Sequence, residues 1–527
     1  MEVIRMTKPK SAVLDTFVQG PVMSTNSTDV LILKESHLEE FAKKENIFLS
    51  KTQDYKAGSI ITPDYNSGWG GVIVAIVPDE PKLYDLAFLT SATNLDEKAL
   101  LNPAFYSATK GKTHNHTEAG FSNDEVKNLL IGYGLANHRY QDSFSKHPIK
   151  KNMNSIAKKS SLKPKGPKIL IPSSLKKETK EIISTVEAIA LIRDLINTPA
   201  EHITPESLIG VGESLAKEFN ARSINTYFKS KRGDKLDNQE LKGITIGQDF
   251  EKDFPAVYAV GKSSENQPAV IDFKWGDWDN EDLPKITLVG KGVTFDTGGL
   301  NLKGASMKDM KGDMGGAAHA LGLARIVMGM DMPVRLRVII PSAENGIGPE
   351  AMRPSDVIHT RKGKSVEVTN TDAEGRLILA DALALASEDN PDLIINYATL
   401  TGAAIAAYGY GTSALFAADT ELGRELEDIG FDITGDKMQH TRYDETIANA
   451  MRSSDVADLV NSNAGARAGA IQAGCFLREF VSDPKKFVHI DTYASNNSSK
   501  AGEPRGGADR GLRTVLHYLK KRYANKP

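Results

Sequence analysis

Short apolar runs separated by turn-forming residues make up most of the first part of the chain. The runs VLILK at 30–34 and GGVIVAIV at 70–77 are rich in β-branched residues, which fit a pleated sheet and predict strands. A helical pattern follows at 125–140 and runs into a glycine-containing region. These patterns predict a small N-terminal α/β domain over residues 1–145.

From residue 174 onward, helical and strand-like patterns alternate. One predicted helix ends at Asn197, before Pro199, and another begins near 205 behind Thr204, a good capping residue. Further strands are predicted at 256–260, 269–273, 285–289, 334–340, 392–400, 414–418 and 487–491, and further helices at 315–328 and 374–387. This alternation predicts a second α/β domain over 181–527, with a mostly parallel central sheet covered by helices. Ligands of such folds bind at the carboxyl ends of the strands.

The region between the two domains, 146–180, starts with a run rich in lysine, serine and proline. Such a run predicts a solvated linker, here followed by the start of a connecting helix, and nucleic-acid contact is the alternative for its basic charge. The whole chain has a net charge of −3, which gives no electrostatic reason to expect nucleic acid or an acidic membrane surface. Two domains also fit the length of 527 residues.

Several features favour a cytoplasmic protein without a membrane partner. The start of the chain, MEVIRMTKPK, has no apolar segment typical of a secretory signal. The longest uncharged stretch, 398–418, is long enough to span a bilayer, but its glycines, threonines and tyrosines favour a buried strand, a turn and a small-residue segment. The single cysteine, Cys475, excludes an intramolecular disulfide.

Two glycine-rich stretches carry the candidate chemistry. The first, Val289 to Ala318, begins where the predicted strand 285–289 ends, and the second, NTDAEGRL, occupies 370–377. Together they supply four carboxylates, two lysines and one arginine: Asp296, Asp313, Asp372, Glu374, Lys291, Lys303 and Arg376. We interpret this set as a two-metal hydrolytic site.

The carboxylates fit the needs of such a site. Two divalent cations about 3.5–4 Å apart can activate a water and hold both oxygens of a tetrahedral intermediate. They require several anionic oxygen ligands, at least one of them bridging, and zinc, manganese, magnesium or cobalt would suit. Asp372 and Glu374 project to one side only while the chain is extended. The helix of the second stretch is therefore predicted to begin at or just after Glu374.

The three basic residues fit different roles. A lysine ligand must be neutral, and both burial and a nearby cation lower its pKa, which suits Lys291 directly after a strand. Lys303 suits the opposite role, in which a charged ammonium stabilises a developing oxyanion. Arg376 stays protonated and could orient a carboxylate or a bound anion such as bicarbonate.

Structural explanations exist for each fragment alone. GKGVT is similar to a phosphate-binding loop, but Lys285 and Gly292 stand where that motif needs glycine and a hydroxyl residue. DTGG at 296–299 is compatible with a plain turn, and Thr371 with Glu374 fits a helix capping box. Seven such residues in two clusters favour the metal site over caps and turns.

The motifs resemble those of the leucyl aminopeptidase (cytosol aminopeptidase) family. VGKGVTFDTGGLNLK followed by DMGGAA, and NTDAEGRL, carry the resemblance, with RDLINTPAEHITP, ATLTGA and ARAGAIQAGCFLREF in support. The resemblance covers about 185–527, and 132–141 is similar to the end of the family's N-terminal domain. It implies a macro-domain-like N-terminal domain, joined by a helix to a catalytic domain, and a homo-hexamer built as a dimer of trimers.

The resemblance also implies a role for each site residue. Two metal ions would be bridged by Asp296 and Glu374, with Asp372 in the tighter site and Lys291 and Asp313 in the more exchangeable one. Lys303 would polarise the scissile carbonyl, and Arg376 would hold a bicarbonate that acts as general base. Substrate contacts would come from the backbone of Leu400 and from an apolar slot for a leucine-like side chain, formed by Met310, Thr399 and Gly402.

The predicted function is therefore a metal-dependent aminopeptidase acting on peptides. Two departures from the family affect substrate preference: the segment between Lys303 and Asp313 is one residue shorter, and 489–507 resembles a bacterial branch. The alternatives are a narrow dipeptidase, for example for Cys-Gly, and a hexameric DNA-binding or scaffold protein.

Overall fold

A computed structural model describes residues 17–18, 27–34, 60–61, 72–77, 100–107, 112–114, 122–137, 168–170, 175–228, 250–500 and 502–524. These residues form two compact units. One lies within 7–190 and includes part of 498–505, and the other lies within 191–497 together with 506–527. The domain limits taken from the sequence, at 145 and 180, stay a prediction.

The smaller unit contains a mainly parallel sheet with the strand order β1-β7-β5-β2-β4-β3, and β6 pairs with β5. Strands β2, β4, β5, β7 and β1 are parallel to their neighbours along this path, whereas β3 and β6 are antiparallel. The strands are β1 (Phe17–Val18), β2 (Ser27–Lys34), β3 (Ile60–Ile61), β4 (Val72–Val77), β5 (Leu100–Ser107), β6 (Lys112–His114) and β7 (Lys168–Leu170). The strands predicted at 30–34 and 70–77 are confirmed as β2 and β4. Most of the predicted linker, 146–167, lies outside the described residues.

The larger unit is built on a sheet with the order β17-β16-β19-β15-β10-β12-β9-β8, with β11 paired to β12. Its four central strands, β19, β15, β10 and β12, are parallel, and β9, β8 and β16 add antiparallel pairs at the flanks. The strands are β8 (Ser223–Phe228), β9 (Ala269–Trp275), β10 (Lys285–Gly290), β11 (Gly292–Asp296), β12 (Arg335–Asn345), β15 (Leu393–Ala398), β16 (Ser413–Ala417), β17 (Met438–Thr441) and β19 (Phe487–Asp491). Two small sheets contain β13 (Val357–His359), β14 (Ser365–Glu367) and β18 (Leu459–Val460), and β20 (Ser495–Asn496) and β21 (Gly506–Gly507).

Twelve α-helices lie in the described part of the chain. They are α1 (Asn123–Asn137), α2 (Thr179–Asn197), α3 (Pro205–Glu218), α4 (Phe250–Asp253), α5 (Pro255–Gly261), α6 (Gly315–Gly329), α7 (Gly375–Glu388), α8 (Gly402–Tyr408), α9 (Thr420–Asp428), α10 (Glu445–Ala450), α11 (Gly469–Arg478) and α12 (Leu512–Leu519). The helices predicted at 315–328 and 374–387 are confirmed as α6 and α7. The helix predicted near 205 is α3, and Thr204 caps it as expected.

Helices cover both faces of the larger sheet. Val289 and Ile394 point into an apolar core that they share with α5, α7 and α11. Ile271 in β9 points to other helices, because a Cβ at Gly212 in α3 would lie 3.2 Å from its Cδ1 and 3.6 Å from Leu321 Cδ2 in α6. Helices on two faces of a central parallel sheet confirm the fold class predicted from the sequence.

One predicted strand is wrong. Residues 256–260 lie in helix α5, which begins with Pro255. The carboxylate of Asp381 in α7 accepts hydrogen bonds from the amides of Ala256, at 2.8 Å, and Val257, at 3.2 Å. A short apolar run does not distinguish a buried helix from a buried strand, and here a distant carboxylate stabilises the first turn of a helix.

The uncharged stretch 398–418 contains the end of β15, helix α8 and strand β16. The predicted turn lies at 410–411, and the small-residue segment forms the short helix α8, which the Thr401 hydroxyl caps by accepting a hydrogen bond from the Ala404 amide at 3.1 Å. Among the residues with assigned positions, no helix is long and apolar enough to cross a membrane.

Candidate active site

The predicted metal ligands all lie at element boundaries on one edge of the larger sheet. Lys291 follows β10, Asp296 ends β11, and Asp313 precedes α6. Helix α7 begins at Gly375, as predicted, but the extended chain expected for Asp372 and Glu374 is wrong: Asp372 lies in a turn, and Glu374 already has helical backbone angles. The edge is the one where the parallel strands β10, β12 and β15 end, which is where such folds bind ligands.

The carboxylates of three of these residues form one cluster. One ligand oxygen from each of Asp296, Asp372 and Glu374 lies within 4.8 Å of the others. Asp296 and Glu374 are each 1% exposed, whereas Asp372 is half-buried. Lys291 connects Asp313 to this cluster, because its Nζ lies 2.8 Å from Asp313 Oδ2 and 3.1 Å from Glu374 Oε1.

Lys303 lies on the other side of the cluster. Its Nζ is 2.9 Å from Asp296 Oδ2 and 2.5 Å from Asp372 Oδ1. Lys303 follows a turn in which Gly298 and Gly299 have φ angles of +86° and +62°, a conformation that favours glycine. The turn thus brings a lysine against carboxylates from both glycine-rich stretches.

The oxygen atoms of the cluster fit cation binding. Glu374 Oε2 is buried and has no hydrogen-bond partner among the residues that the structure describes. Asp313 Oδ2 and Asp372 Oδ1 face lysine Nζ atoms but lie outside hydrogen-bonding geometry. Burying an ionised carboxylate costs free energy unless it is paired or coordinates a metal. Four carboxylates with only two lysines among them therefore suit divalent cations.

The pKa shifts report the same crowding of negative charge. Burial, followed by repulsion from Glu374, raises the pKa of Asp296 to about 6 against the opposing effect of the two lysines. Burial also raises the pKa of Asp313 well above its usual range, although Lys291 opposes this. A divalent cation would relieve the repulsion and keep both groups ionised.

The same carboxylates also raise the pKa of Lys291. Burial lowers its pKa, but Asp313, Glu374 and Asp296 outweigh burial and hold the pKa above its ordinary value. The carboxylates alone therefore favour a protonated Lys291. A neutral lysine ligand requires the positive field of a nearby cation, which reverses this balance.

A group of hydrogen bonds links the two glycine-rich stretches. Asn345, the last residue of β12, donates from Nδ2 to Asp296 Oδ1 at 2.8 Å and to the Thr371 carbonyl at 3.1 Å. The Thr371 hydroxyl donates to the Gly298 carbonyl at 2.7 Å and accepts from the Asn301 amide at 2.8 Å. The capping-box interpretation of Thr371 is therefore wrong, since the first residue before α7 is Glu374 and has no side-chain cap.

Arg376 lies in the first turn of α7 with its guanidinium buried. Its Nη1 donates to the Asn461 carbonyl at 2.8 Å, and its Nε has no hydrogen-bond partner in the described chain. Burial lowers the pKa of Arg376 to about 10, although Glu374 and Asp491 oppose the shift. A buried cationic donor without an acceptor is suited to holding an anion.

Two of the four predicted substrate-contacting residues, Thr399 and Met310, lie beside Lys291 and Asp313. The Thr399 carbonyl accepts a hydrogen bond from Lys291 Nζ at 3.1 Å, and Gly402 begins α8. The Leu400 amide donates to Asp491 at 2.8 Å. Met310 lies in a 3₁₀ segment, Ala305–Gly312, and its carbonyl accepts from the Asp313 amide at 3.2 Å. Thr399 and Met310 therefore contact this pair of ligands directly, and Leu400 and Gly402 follow Thr399 along the chain.

A cavity of about 340 Å³ opens beside Asp372. Its lining comes from three segments: Asn301, Thr369, Asn370, Asp372, Ser462 and Ala464. Apart from Asp372, none of these was predicted as a site residue. Asn301 and Asn370 belong to the two glycine-rich stretches, so their positions offered a signal. Ser462 and Ala464 are far from both stretches in sequence and offered none.

Comparison with known proteins assigns the chain to a family. A family model described as "Cytosol aminopeptidase family, catalytic domain" matches residues 190–516. The chain belongs to the cytosol aminopeptidase family. This confirms the resemblance drawn from the motifs and the aminopeptidase class of hydrolase that it implied.

The relatives and solved structures agree with this family. A probable cytosol aminopeptidase of Chlorobium limicola is 38% identical over 340 residues, which cover 63% of this chain and 62% of the relative. One of Legionella pneumophila is 32% identical over 426 residues, which cover 80% of each protein. The crystal structure of cytosol aminopeptidase from Coxiella burnetii is 34% identical and has a TM-score of 0.77, covering 97% of this chain and 100% of that chain.

A second similar structure is that of a manganese complex. The bottromycin maturation enzyme BotP in complex with Mn is 25% identical to this family member, with a TM-score of 0.74. The match covers 94% of this chain and 99% of BotP.

Sequence reasoning missed Asn345, although a signal was present. The strand predicted at 334–340 stopped short of Pro341. In the structure β12 continues through Pro341, which pairs with Val270 of the antiparallel neighbour β9. A strand extended to Asn345 would have placed that residue at the ligand-binding edge of the sheet.

Proposed function

We propose that this protein removes N-terminal residues, preferentially leucine-like ones, from peptides by means of two divalent metal ions. The observation that carries the proposal is the cluster of carboxylates from Asp296, Asp372 and Glu374, two of them buried, beside two lysines. The family assignment supports the same class of reaction.

The family resemblance suggests how the ligands would be divided between the two ions. Asp296 and Glu374, which belong to the carboxylate cluster, would contact both ions. Asp372 would belong to one ion, and Lys291 with Asp313, 2.8 Å apart, would belong to the other. When bound, the ions supply Lewis-acid activation of a water and of the substrate carbonyl. Zinc and manganese are the proposed ions, and magnesium and cobalt accept the same ligands.

Two basic residues would act directly on the reacting groups. Lys303 keeps a protonated ammonium, because the neighbouring carboxylates of Asp296 and Asp372 outweigh burial and hold its pKa above the ordinary value. A charged donor at the edge of the cluster can stabilise the negative charge that develops on the carbonyl oxygen. Arg376 would use its free Nε to hold bicarbonate, which supplies a general base when bound.

The substrate would lie across the cluster. Met310, Thr399 and Gly402, on the side of Lys291 and Asp313, would contact the first side chain of the peptide. The cavity on the side of Asp372 would receive the residues after the scissile bond. Because the Leu400 amide already donates to Asp491, its substrate contact would come from the carbonyl oxygen.

We further propose peptides as the substrates, a homo-hexamer as the assembly and the cytoplasm as the location. The family resemblance supports all three. The near-neutral charge of the chain argues against nucleic acid as the main partner. A gel shift measured at several salt concentrations would test the DNA-binding alternative, since phosphate contacts weaken steeply with salt.

The central test is hydrolysis of leucine p-nitroanilide by the full chain, first stripped with chelator and then supplied with Mn²⁺ or Zn²⁺. We expect the metal to restore product release in the wild type and in Asp309→Ala, an exposed carboxylate of the same region. Asp372→Ala should stay inactive. Cleavage of Cys-Gly alone, with metal bound, would favour the narrow dipeptidase, and failure to bind metal would overturn the proposal.

A further inference from the structure

Asp491 is a buried carboxylate near the carboxylate cluster, and it has no role in the proposed reaction. It is the last residue of β19, is 1% exposed, and lies opposite Ala398 in the parallel pairing of β19 with β15. Residues 399–401 continue directly from the end of β15 into helix α8. Asp491 therefore faces the segment that leaves the neighbouring strand.

Three hydrogen bonds attach this segment to Asp491. Its Oδ1 accepts from the amides of Leu400, at 2.8 Å, and Thr401, at 3.1 Å. Its Oδ2 accepts from the Thr401 hydroxyl at 2.6 Å. The same hydroxyl accepts from the Ala404 amide, so Asp491 also sets the orientation of the cap of α8. Such charge-assisted hydrogen bonds are stronger than neutral ones and fix the backbone firmly.

The other end of the segment contacts two of the proposed metal ligands. The Thr399 hydroxyl donates to Asp313 Oδ1 at 2.8 Å, and the Thr399 carbonyl accepts from Lys291 Nζ at 3.1 Å. A shift of residues 399–401 would therefore move both ligands together. Within the described chain, this segment forms no hydrogen bond with the carboxylates of Asp296, Asp372 and Glu374. Asp296 is held instead by Asn345.

We propose that Asp491 is a positioning residue for the metal ion held by Lys291 and Asp313, acting through Thr399. Groups that hydrogen-bond to metal ligands orient them, and removing such a group typically lowers metal affinity by about 10- to 100-fold. Asp491 does not touch the ligands itself. It fixes the backbone of Leu400 and Thr401, and this backbone carries Thr399, which forms the hydrogen bond to the ligand. The inference deepens the proposed function and rests on its assignment of two metal ions.

The test is a titration of the metal-free full chain with Mn²⁺ alone, in which the EPR signal measures the concentration of free Mn²⁺. Asp491→Asn places an amide N–H against at least one of the three donors of residues 400 and 401. We expect two sites in the wild type and, in the variant, one site weakened by about 10- to 100-fold while the other keeps its affinity. Thr399→Val should weaken the same site, and Thr399→Ser, which keeps the hydroxyl, should restore it.

A matched control separates positioning from general loss of stability. Asp436 is also a buried carboxylate that accepts two backbone amides, from Gly511 at 2.7 Å and Arg513 at 2.9 Å, but it holds the start of α12. We expect Asp436→Asn to lower the melting temperature without changing either Mn²⁺ affinity.

The outcomes distinguish this inference from the proposed function. Two sites of wild-type affinity in both Asp491→Asn and Thr399→Val would overturn the inference alone. Equal weakening of both sites, or the same weakening in Asp436→Asn, would also overturn it, because the effect would then be general. A wild-type chain that binds no Mn²⁺ would overturn the proposed function and the inference with it.

Discussion

Gly375 offers the sharpest test of Lys291 as a metal ligand. It lies between Glu374 and Arg376 as the first residue of α7. A Cβ at this position would lie 2.3 Å from Lys291 Cε and 2.6 Å from Lys291 Nζ. The substitution Gly375→Ala therefore directs a single methyl group at the end of the lysine side chain.

The size of the displacement follows from these distances. An ordinary contact begins at 3.4 Å, so Nζ must move by about 3.4 − 2.6 = 0.8 Å and Cε by about 3.4 − 2.3 = 1.1 Å. Metal–ligand distances tolerate only about ±0.2 Å, so a displaced Lys291 no longer binds the ion. A misplacement of about 1 Å in an active site can cost about 100-fold in rate. We expect kcat/KM to fall by about that factor.

The assay combines Mn²⁺ titration, leucine p-nitroanilide hydrolysis and thermal unfolding. The chain should still fold, because the atoms that must move are the flexible end of a side chain rather than backbone. Gly210→Ala is the matched control, since Gly210 lies within α3 and a Cβ there meets no atom within 4 Å. The control should gain about 0.5–1 kcal/mol of stability and keep its activity. Wild-type metal affinity and kcat/KM in Gly375→Ala would refute the role of Lys291.

Three further predictions address catalysis, the anion and the core. Lys303→Ala should lower kcat, measured in steady-state kinetics, by about 100- to 1,000-fold and leave the metal content unchanged. Lys308 is an exposed lysine of the same segment, and the control variant Lys308→Ala should have the kcat of the wild type. Added bicarbonate should raise kcat of the wild type in carbonate-free buffer but not that of Arg376→Ala, and an equal response would contradict the anion site. Leu383→Ala, in the buried face of α7, should cost about 2–5 kcal/mol in the free energy of unfolding measured with urea, and a loss below this range would show that the core collapses around the gap.

Much of the site was accessible from the sequence because its residues lie on short segments of regular geometry. Lys291 follows a strand whose apolar residues are contiguous, and Asp372 with Glu374 lie two residues apart directly before the predicted start of a helix. Both patterns depend only on neighbouring residues. The central strands and helices α6 and α7 were predicted for the same reason.

Other features depended on residues far apart in the chain. The run 256–260 has no local preference that excludes a strand, and Asp381, more than 100 residues away, supplies the acceptor that stabilises helix α5. Thr371 fits a local capping box, yet its hydroxyl bonds to Gly298, 73 residues earlier. In both cases a distant hydrogen-bond partner outweighed the local pattern.

The family, the α/β class, the order of the central elements and the residue types of the carboxylate cluster could all be predicted from the sequence. These properties follow from local spacing and from hydrophobic periodicity, which are written in consecutive residues. The contacts that support the cluster became visible only in the folded chain: Asn345 on Asp296, Asp491 on residues 400–401, and Ser462 and Ala464 in the cavity wall. These contacts form because strands distant in sequence end at the same edge of one sheet, a proximity that no single segment encodes.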